Sequence, residues 1–217
     1  MAGPRRSYAQ MAEVRQKMLA AAFRLFAEKN IDSITLSDVA AESGCPLRTV
    51  QRYFHEKDTL VIETATWAWS DFTKGSRQRV APGEWERMTA AQQYTFFLDS
   101  FLELYRSHRD LLCFNQMFNV YIRAAAVNTE TLRPYQAMMG GLREWFRILY
   151  AKGEHDGTLR TDMDEEAMFS TTLHIMLAIV TRYAVGLVYR SESDPEQELL
   201  FQRDLLLQRF TTDAAKI

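Results

Sequence analysis

The sequence predicts an all-α chain of about nine helices, with a small N-terminal three-helix unit ahead of a larger helical body. Three observations carry that expectation. Apolar residues recur at helical spacing through most of the chain, and the alternation that marks strands is scarce. Two stretches, SYAQ at 7–10 and TLSD at 35–38, read as helix-capping signatures. Pro46 follows Gly44 by two residues and separates two short amphipathic stretches, which is the pattern of a helix-turn-helix.

Taken in order, the first helix opens with Ser7 accepting from the backbone and Gln10 reaching back. Its buried face is Met11, Val14, Met18, Ala22, Leu25 and Phe26, and it ends near Lys29 and Asn30, with Asn30 expected in the left-handed cap conformation. Thr35 caps the second helix, Asp38 lies in its first turn, and Leu36, Val39 and Ala40 form its apolar face until Gly44 stops it. Pro46 cannot continue that helix but suits the first turn of the next, so the helix-turn-helix spans about 36–54. A fourth helix begins near Lys57 and runs to about Lys74, after which KGSRQRVAPGEWER reads as a loop. Amphipathic segments follow at 89–107, 109–127, 130–152, 165–190 and 195–211, and AKGEHDGTLRTDMD is the longest polar connection among them. The expected domain division is 1–60 and 61–217.

Composition narrows the function. With 47% hydrophobic and 25% charged residues among 217, the chain is an ordinary globular one with a net charge of −2. Residues 1–60 hold 9 Lys/Arg against 7 Asp/Glu, and the remainder 17 against 21, so the slight basic excess sits at the N-terminal end. Two cysteines, Cys45 and Cys113, make neither a disulfide framework nor a metal cluster, and the four histidines have no ligand spacing. No apolar segment with a cleavage site follows the N-terminus, so a cytoplasmic location is expected. The most apolar run, Ala167 to Val188, is interrupted by His174 and Arg182 and opens on DMDEE, which reads as a buried helix and not a membrane span. A Gly-rich phosphate loop, a nucleophile elbow and paired metal ligands are all missing, and DMDEE lacks the spacing and glycine of a calcium loop. An enzyme and a bound cofactor are therefore not expected.

The third helix is the informative one. At 100° per residue, Phe54 and Leu47 fall within about 60° of Val50 and form the apolar face, while Arg48 and Arg52 lie about 160° and 200° away. Gln51 and Thr49 flank the two arginines. Arg pairs with guanine, Gln with adenine, and Thr with phosphate or the thymine methyl, so these side chains suit base edges in a major groove. Tyr53 and Lys57, toward the far end, suit backbone phosphates. The alternative, an ordinary solvated surface helix, explains the charges but not the capped helix and the turn that precede them.

These residues carry a resemblance. The stretch AAAFRLFAEKNIDSITLSDVAAESGCPLRTVQRYFHEKDTL resembles the N-terminal domain of the TetR family of bacterial transcriptional regulators, over residues 13–60 or so. The shared patterns are A-x-x-L-F-x-E in the first helix, T-x-x-D-V-A in the second, and G-x-x-x-x-T-V-x-R-Y-F-x-x-K across the turn and third helix. Further on, GTLRTDMDEEA is similar to the segment that often precedes the dimer helices of such proteins. The resemblance implies a dimer that binds a near-palindromic double-stranded operator and is released or retained by a small molecule held in the C-terminal domain; repression, with release on binding, is the expected mode. It implies that Thr35 caps the second helix and touches phosphate with Ser37 beside it. It implies that Leu47, Arg48, Thr49, Gln51, Arg52 and Tyr53 face DNA, and that Lys57 clamps phosphate. PRRSY at 4–8 is similar to the basic arm that some relatives use near the minor groove. Departures are Asn30 where the family usually has Gly, Gln51 where Tyr is common, and Cys45 in the turn, where it is expected to pack as a small aliphatic residue.

The remaining helices are rich in large side chains, which suits an apolar or aromatic effector. Trp67, Phe101, Tyr105, Phe118, Tyr121 and His174 are the candidate ligand-binding residues, although His174 on its apolar helix reads more readily as a core histidine. Helices 165–190 and 195–211 are the expected homodimer pair, the first because it is apolar on more than one face, the second through Leu199, Leu200, Leu206 and Phe210. A two-fold axis through them would set the recognition helices about 34–36 Å apart on one face of DNA. Two rival expectations remain: an interaction module that keeps the fold without reading DNA, and an activator instead of a repressor.

Overall fold

The structure, a computed structural model, describes residues 8–186 and 194–213. The Ser7 cap, the PRRSY arm up to Tyr8, and residues 187–190 of the expected helix 165–190 lie outside the described residues. Within them the chain is all-α, with ten α-helices and one 3-10 turn. It divides into two compact units, Met1–Asp71 with Cys113–Ala137, and Phe72–Leu112 with Met138–Ile217.

The first unit contains α1 (Tyr8–Glu28), α2 (Leu36–Ser43), α3 (Leu47–Tyr53) and the start of α4 (Lys57–Gln78). Helix α1 packs on α2, and α2 on α3. Met18, Ala22 and Phe26 of α1, Val39 of α2, Val50 of α3, Phe54 and Val61 of α4 are all essentially inaccessible, whereas the expected α1 face loses Met11, which is exposed, and covers Val14 and Leu25 only in part. Asn30 departs from expectation. Its φ of −58° is not left-handed; its side chain accepts from the Asp32 backbone N–H at 3.1 Å and caps the 3-10 turn Ile31–Ser33. Asn favours such local side-chain to backbone bonds as readily as it tolerates the left-handed region. To this unit also belong the greater part of α7 (Arg109–Ala125) and the first turns of α8 (Thr129–Asp156).

The second unit contains α5 (Glu84–Arg87), α6 (Ala90–Ser107), most of α8, α9 (Glu165–Val185) and α10 (Pro195–Phe210). Helices α6, α9 and α10 pack on one another around Tyr94, Phe97, Phe146, Met176, Leu199 and Phe210. The stretch KGSRQRVAPGEWER is not one loop. Helix α4 continues through Gly75 to Gln78, and residues 84–87 close a one-turn helix whose Glu84 carboxylate accepts from the Ala81 N–H at 3.2 Å. Helix α8 likewise runs on to Asp156, and Gly157 at φ 68° ends it by donating to Gly153 O.

Among the described residues only α9 is long and apolar enough to cross a bilayer by length and composition. It carries Glu165, Glu166 and Arg182, and it packs through Met168, Thr172, Met176 and Val180 against the other helices of its unit. Burial on several sides does not hold for the single chain: Ile175 and Val185 are exposed.

Candidate nucleic-acid interface

The site is built by two helix termini. Thr35 opens α2 with a complete capping box: the Asp38 N–H donates to Thr35 Oγ1 at 3.2 Å, and the Asp38 carboxylate accepts from the Thr35 N–H at 2.8 Å. Gly44 closes α2 at φ 63°, donating to Ala41 O while Cys45 N–H donates to Ala40 O, both near 3.1–3.2 Å. That pair of bonds is a Schellman closure, and it turns the chain sharply where a side chain with a Cβ would be strained. Pro46 follows at φ −59°, and its carbonyl accepts from Thr49 and Val50, so α3 starts at once. Proline here supplies a fixed φ and lacks the N–H that a helix start would leave unpaired.

Helix α3 is thereby held by one small anchor. Val50 and the following Phe54 are fully buried, and the opposite side presents Arg48, Gln51 and Arg52, all exposed, with Thr49 half-buried at the edge. Leu47 corrects the helical-wheel expectation: it is 39% exposed and stands outward with the polar residues, not with the core. An exposed leucine beside arginines is suited to a thymine methyl. Tyr53 is half-buried, its hydroxyl donates to Met11 O at 3.3 Å, and Arg52 lies over its ring at 5.6 Å. The tyrosine thus ties α3 to α1 and props the arginine. Cys45 is half-buried in the turn, its thiol against Ser43 O.

Charges around this face are sorted by partner. Arg24 donates twice, through Nε and Nη2, to one carboxylate oxygen of Glu42 at 2.9–3.0 Å, and Arg15 pairs with Glu63 at 2.5 Å. The Lys57 ammonium donates to Asp32 O at 2.9 Å, and burial pulls its pKa below the ordinary lysine value. An ammonium has three N–H donors, so that bond leaves two. Lys17 of α1, which sequence reasoning missed, has its ammonium 3.7 Å from where a Cβ on Gly44 would stand, next to the turn. Ser37 is exposed in the first turn of α2.

The six candidate ligand residues are divided between the two compact units. Trp67, Phe118 and Tyr121 belong to the first unit, and Phe101, Tyr105 and His174 to the second. In the first, Trp67 meets Phe23, Phe23 meets Phe114, and Phe114 meets Phe118, with ring centroids 5.5–6.2 Å apart. Phe118 also lies 4.8 Å from Tyr135, whose phenol burial pushes up to about 12. In the second, Phe101 packs on Phe97 and Tyr105 on Tyr183. His174 is exposed, so the expectation of a core histidine is corrected: the helix is apolar, but this side of it is open. Phe23, Tyr135, Phe97 and Tyr183 are the aromatic partners that periodicity did not single out. A cleft of about 440 Å³ lies elsewhere, lined by Leu25, Lys29, Ile34, Asp38 and Ala41 among others. Among the described residues no cluster of three or more His, Cys, Asp or Glu has metal-binding geometry.

A capped helix, a Schellman turn and a short helix with outward arginines define a helix-turn-helix DNA-binding domain. Residues 18–64 match the family profile described as bacterial regulatory proteins, tetR family, which covers the helix-turn-helix and the helices on either side of it. No curated protein is significantly similar to the chain. Solved structures are. A transcriptional regulator from Saccharomonospora viridis, in complex with choline, superposes with a TM-score of 0.72 at 15% identity, covering 93% of this chain and 99% of that one. The fatty acid degradation regulator FadR from Bacillus halodurans gives a TM-score of 0.70 at 16% identity, over 94% and 97%. A bacterial regulatory protein in the tetR family from Rhodococcus RHA1 gives 0.68 at 14%, over 91% and 96%. At these identities the likeness is one of fold.

Proposed function

We propose that the chain is a cytoplasmic, dimeric, ligand-responsive repressor and not an enzyme. It holds a near-palindromic operator and lets go when an apolar or aromatic effector binds in the helical part beyond residue 60. The observation that carries this reading is the outward face of α3, where Arg48, Gln51 and Arg52 are exposed opposite the buried Val50 and Phe54. In this reading those three side chains and Leu47 read bases, while Thr35, Ser37, Thr49, Tyr53 and the spare donors of Lys57 hold phosphates. Dimerisation runs through α9 and α10. An effector acts by shifting α4, which changes the separation of the two recognition helices and makes occupancy of both half-sites less favourable. Weakening by 5–150-fold needs a coupling of only about 1–3 kcal/mol. That a structural relative is solved with choline supports a small-molecule site in this fold, though not that ligand for this chain.

The test is a binding selection from random duplex DNA with the purified full-length protein, at about 0.15 M salt to suppress non-specific phosphate binding. Enrichment of an inverted repeat with half-sites about one helical turn apart is expected. A folded dimer that enriches no sequence overturns the regulator reading and favours an interaction module.

A further inference from the structure

Tyr121, on α7, is 6% exposed. Its hydroxyl donates to the carboxylate of Asp58 in the first turn of α4, and its ring lies 5.8 Å from the Lys57 ammonium in that same turn. Lys57 in turn donates to the carbonyl of Asp32, in the 3-10 turn that leads into α2. One α7 side chain therefore grips two consecutive residues at the start of α4, and the second of those grips extends to the segment that enters the helix-turn-helix. All four residues belong to the first compact unit. Asp58 is well placed for this: a carboxylate in the first turn is favoured by the helix dipole, so it is held where it is without Tyr121 having to restrain it alone. Burial, then the neighbouring Asp58 carboxylate, push the phenol far above the ordinary tyrosine range, so the hydroxyl remains a donor through the neutral pH range.

We propose that Tyr121 is a positioning residue for DNA binding: through Asp58 and Lys57 it holds the N-terminus of α4, and with it the helix-turn-helix, in the arrangement that engages the operator. The role rests on the regulator reading above and names the α7 contact through which α4 is set. Tyr121 touches no base or phosphate in this scheme. Its loss therefore weakens operator binding without removing a counterion-releasing contact.

The experiment uses full-length wild type, Y121F, D58A and D58N, with the duplex enriched by the selection. Operator affinity is measured by fluorescence anisotropy across a salt series, and backbone hydrogen exchange of residues 57–62 is measured without DNA. Y121F removes only the hydroxyl; D58N keeps an acceptor for it. Y121F and D58A are expected to bind about tenfold more weakly, within the range of ordinary coupling energies, with the salt slope unchanged and faster exchange at the start of α4. D58N is expected to stay near wild type in both readouts, and Y121F/D58A to be no weaker than either single variant. Y121F and D58A that exchange and bind like wild type overturn the positioning role. So does a changed salt slope, which would make Tyr121 part of the phosphate contacts. If wild type itself enriches no operator, the regulator reading falls and the positioning role falls with it. If wild type enriches one and Y121F and D58A bind it and exchange as wild type does, the positioning role alone falls.

Discussion

The Asp38 carboxylate accepts from both the hydroxyl and the backbone N–H of Thr35, at 2.6 and 2.8 Å, while its own N–H donates back to Thr35 Oγ1. Those bonds hold the first turn of α2, the helix against which the recognition helix packs. Thr35→Ala leaves the α2 donors to water and is expected to lower stability by about 1 kcal/mol in urea unfolding. A wild-type midpoint would mean that the cap contributes nothing.

The same contact gives a pH dependence of known sign. The Thr35 hydroxyl, then its N–H, hold the Asp38 pKa below its ordinary 3.8. A carboxylate depressed on folding contributes stability that is complete above its unfolded pKa and is lost as pH falls through the folded one. Unfolding midpoints of wild type and Asp38→Asn are therefore expected to differ at neutral pH and to converge below about pH 3.8. Divergence on acidification would reverse the assignment.

Arg48 and Arg52 project from the side of α3 opposite Val50. Replacing either by Ala is expected to cost about 1–3 kcal/mol on the selected operator and to relax base preference at one position of each half-site. A loss equal on all sequences would leave them as phosphate contacts. Lys57→Met is expected to behave in that second way, weakening every duplex alike and reducing the salt slope by about one. An unchanged slope would confine Lys57 to its bond with Asp32.

Gly153 is constrained by a close approach. A Cβ there would stand 2.7 Å from Leu159, a residue only 3% exposed and bridged to Thr211. Gly153→Ala is expected to destabilise by about 1–3 kcal/mol in thermal or urea unfolding, because the buried neighbour cannot retreat without strain. Gly141→Ala, where an added Cβ meets nothing within 4 Å, serves as the control and is expected to be neutral or stabilising.

The parts of this chain that could be read from sequence are those fixed by short-range chemistry. Thr35 and Asp38 are three residues apart, Gly44 and Pro46 two, and Val50 and Phe54 one helical turn, so each interaction is written within its own segment. What could not be read depends on distant partners. Lys57 meets a carbonyl 25 residues away, and Tyr121 a carboxylate 63 away, neither with a local signal. Asn30 could satisfy either of two local bonding patterns, and the choice fell to the turn that follows it. Gly75 suggested a stop, yet an interior glycine weakens a helix by only about 1 kcal/mol, and α4 runs on past it to Gln78. Leu47 and His174 show the same limit from the other side: residue type gives the chemistry of a helical face but not whether that face is covered.

The open side of α9 and α10 decides the last prediction. Phe201 is 61% exposed and Leu205 43% on α10, and Ile175 is 38% and Val185 44% on α9, the helix that packs beside it. Phe201 and Leu205 are four residues apart, so they share one helical face. Exposed large apolar side chains such as Phe201 and Leu205 on one helical face are suited to a second copy of the same surface, since a two-fold interface needs only self-complementarity. Phe201→Glu would place a charge against its own mate without disturbing the core of the single chain. Sedimentation is expected to show dimers for wild type and monomers for the variant, with the unfolding midpoint of the monomer nearly unchanged. Operator affinity is expected to fall by about 100-fold or more, because each half-site is then bound separately. A Phe201→Glu protein that still sediments as a dimer would move the interface off this face, and the spacing of the recognition helices would then have to be set by another surface.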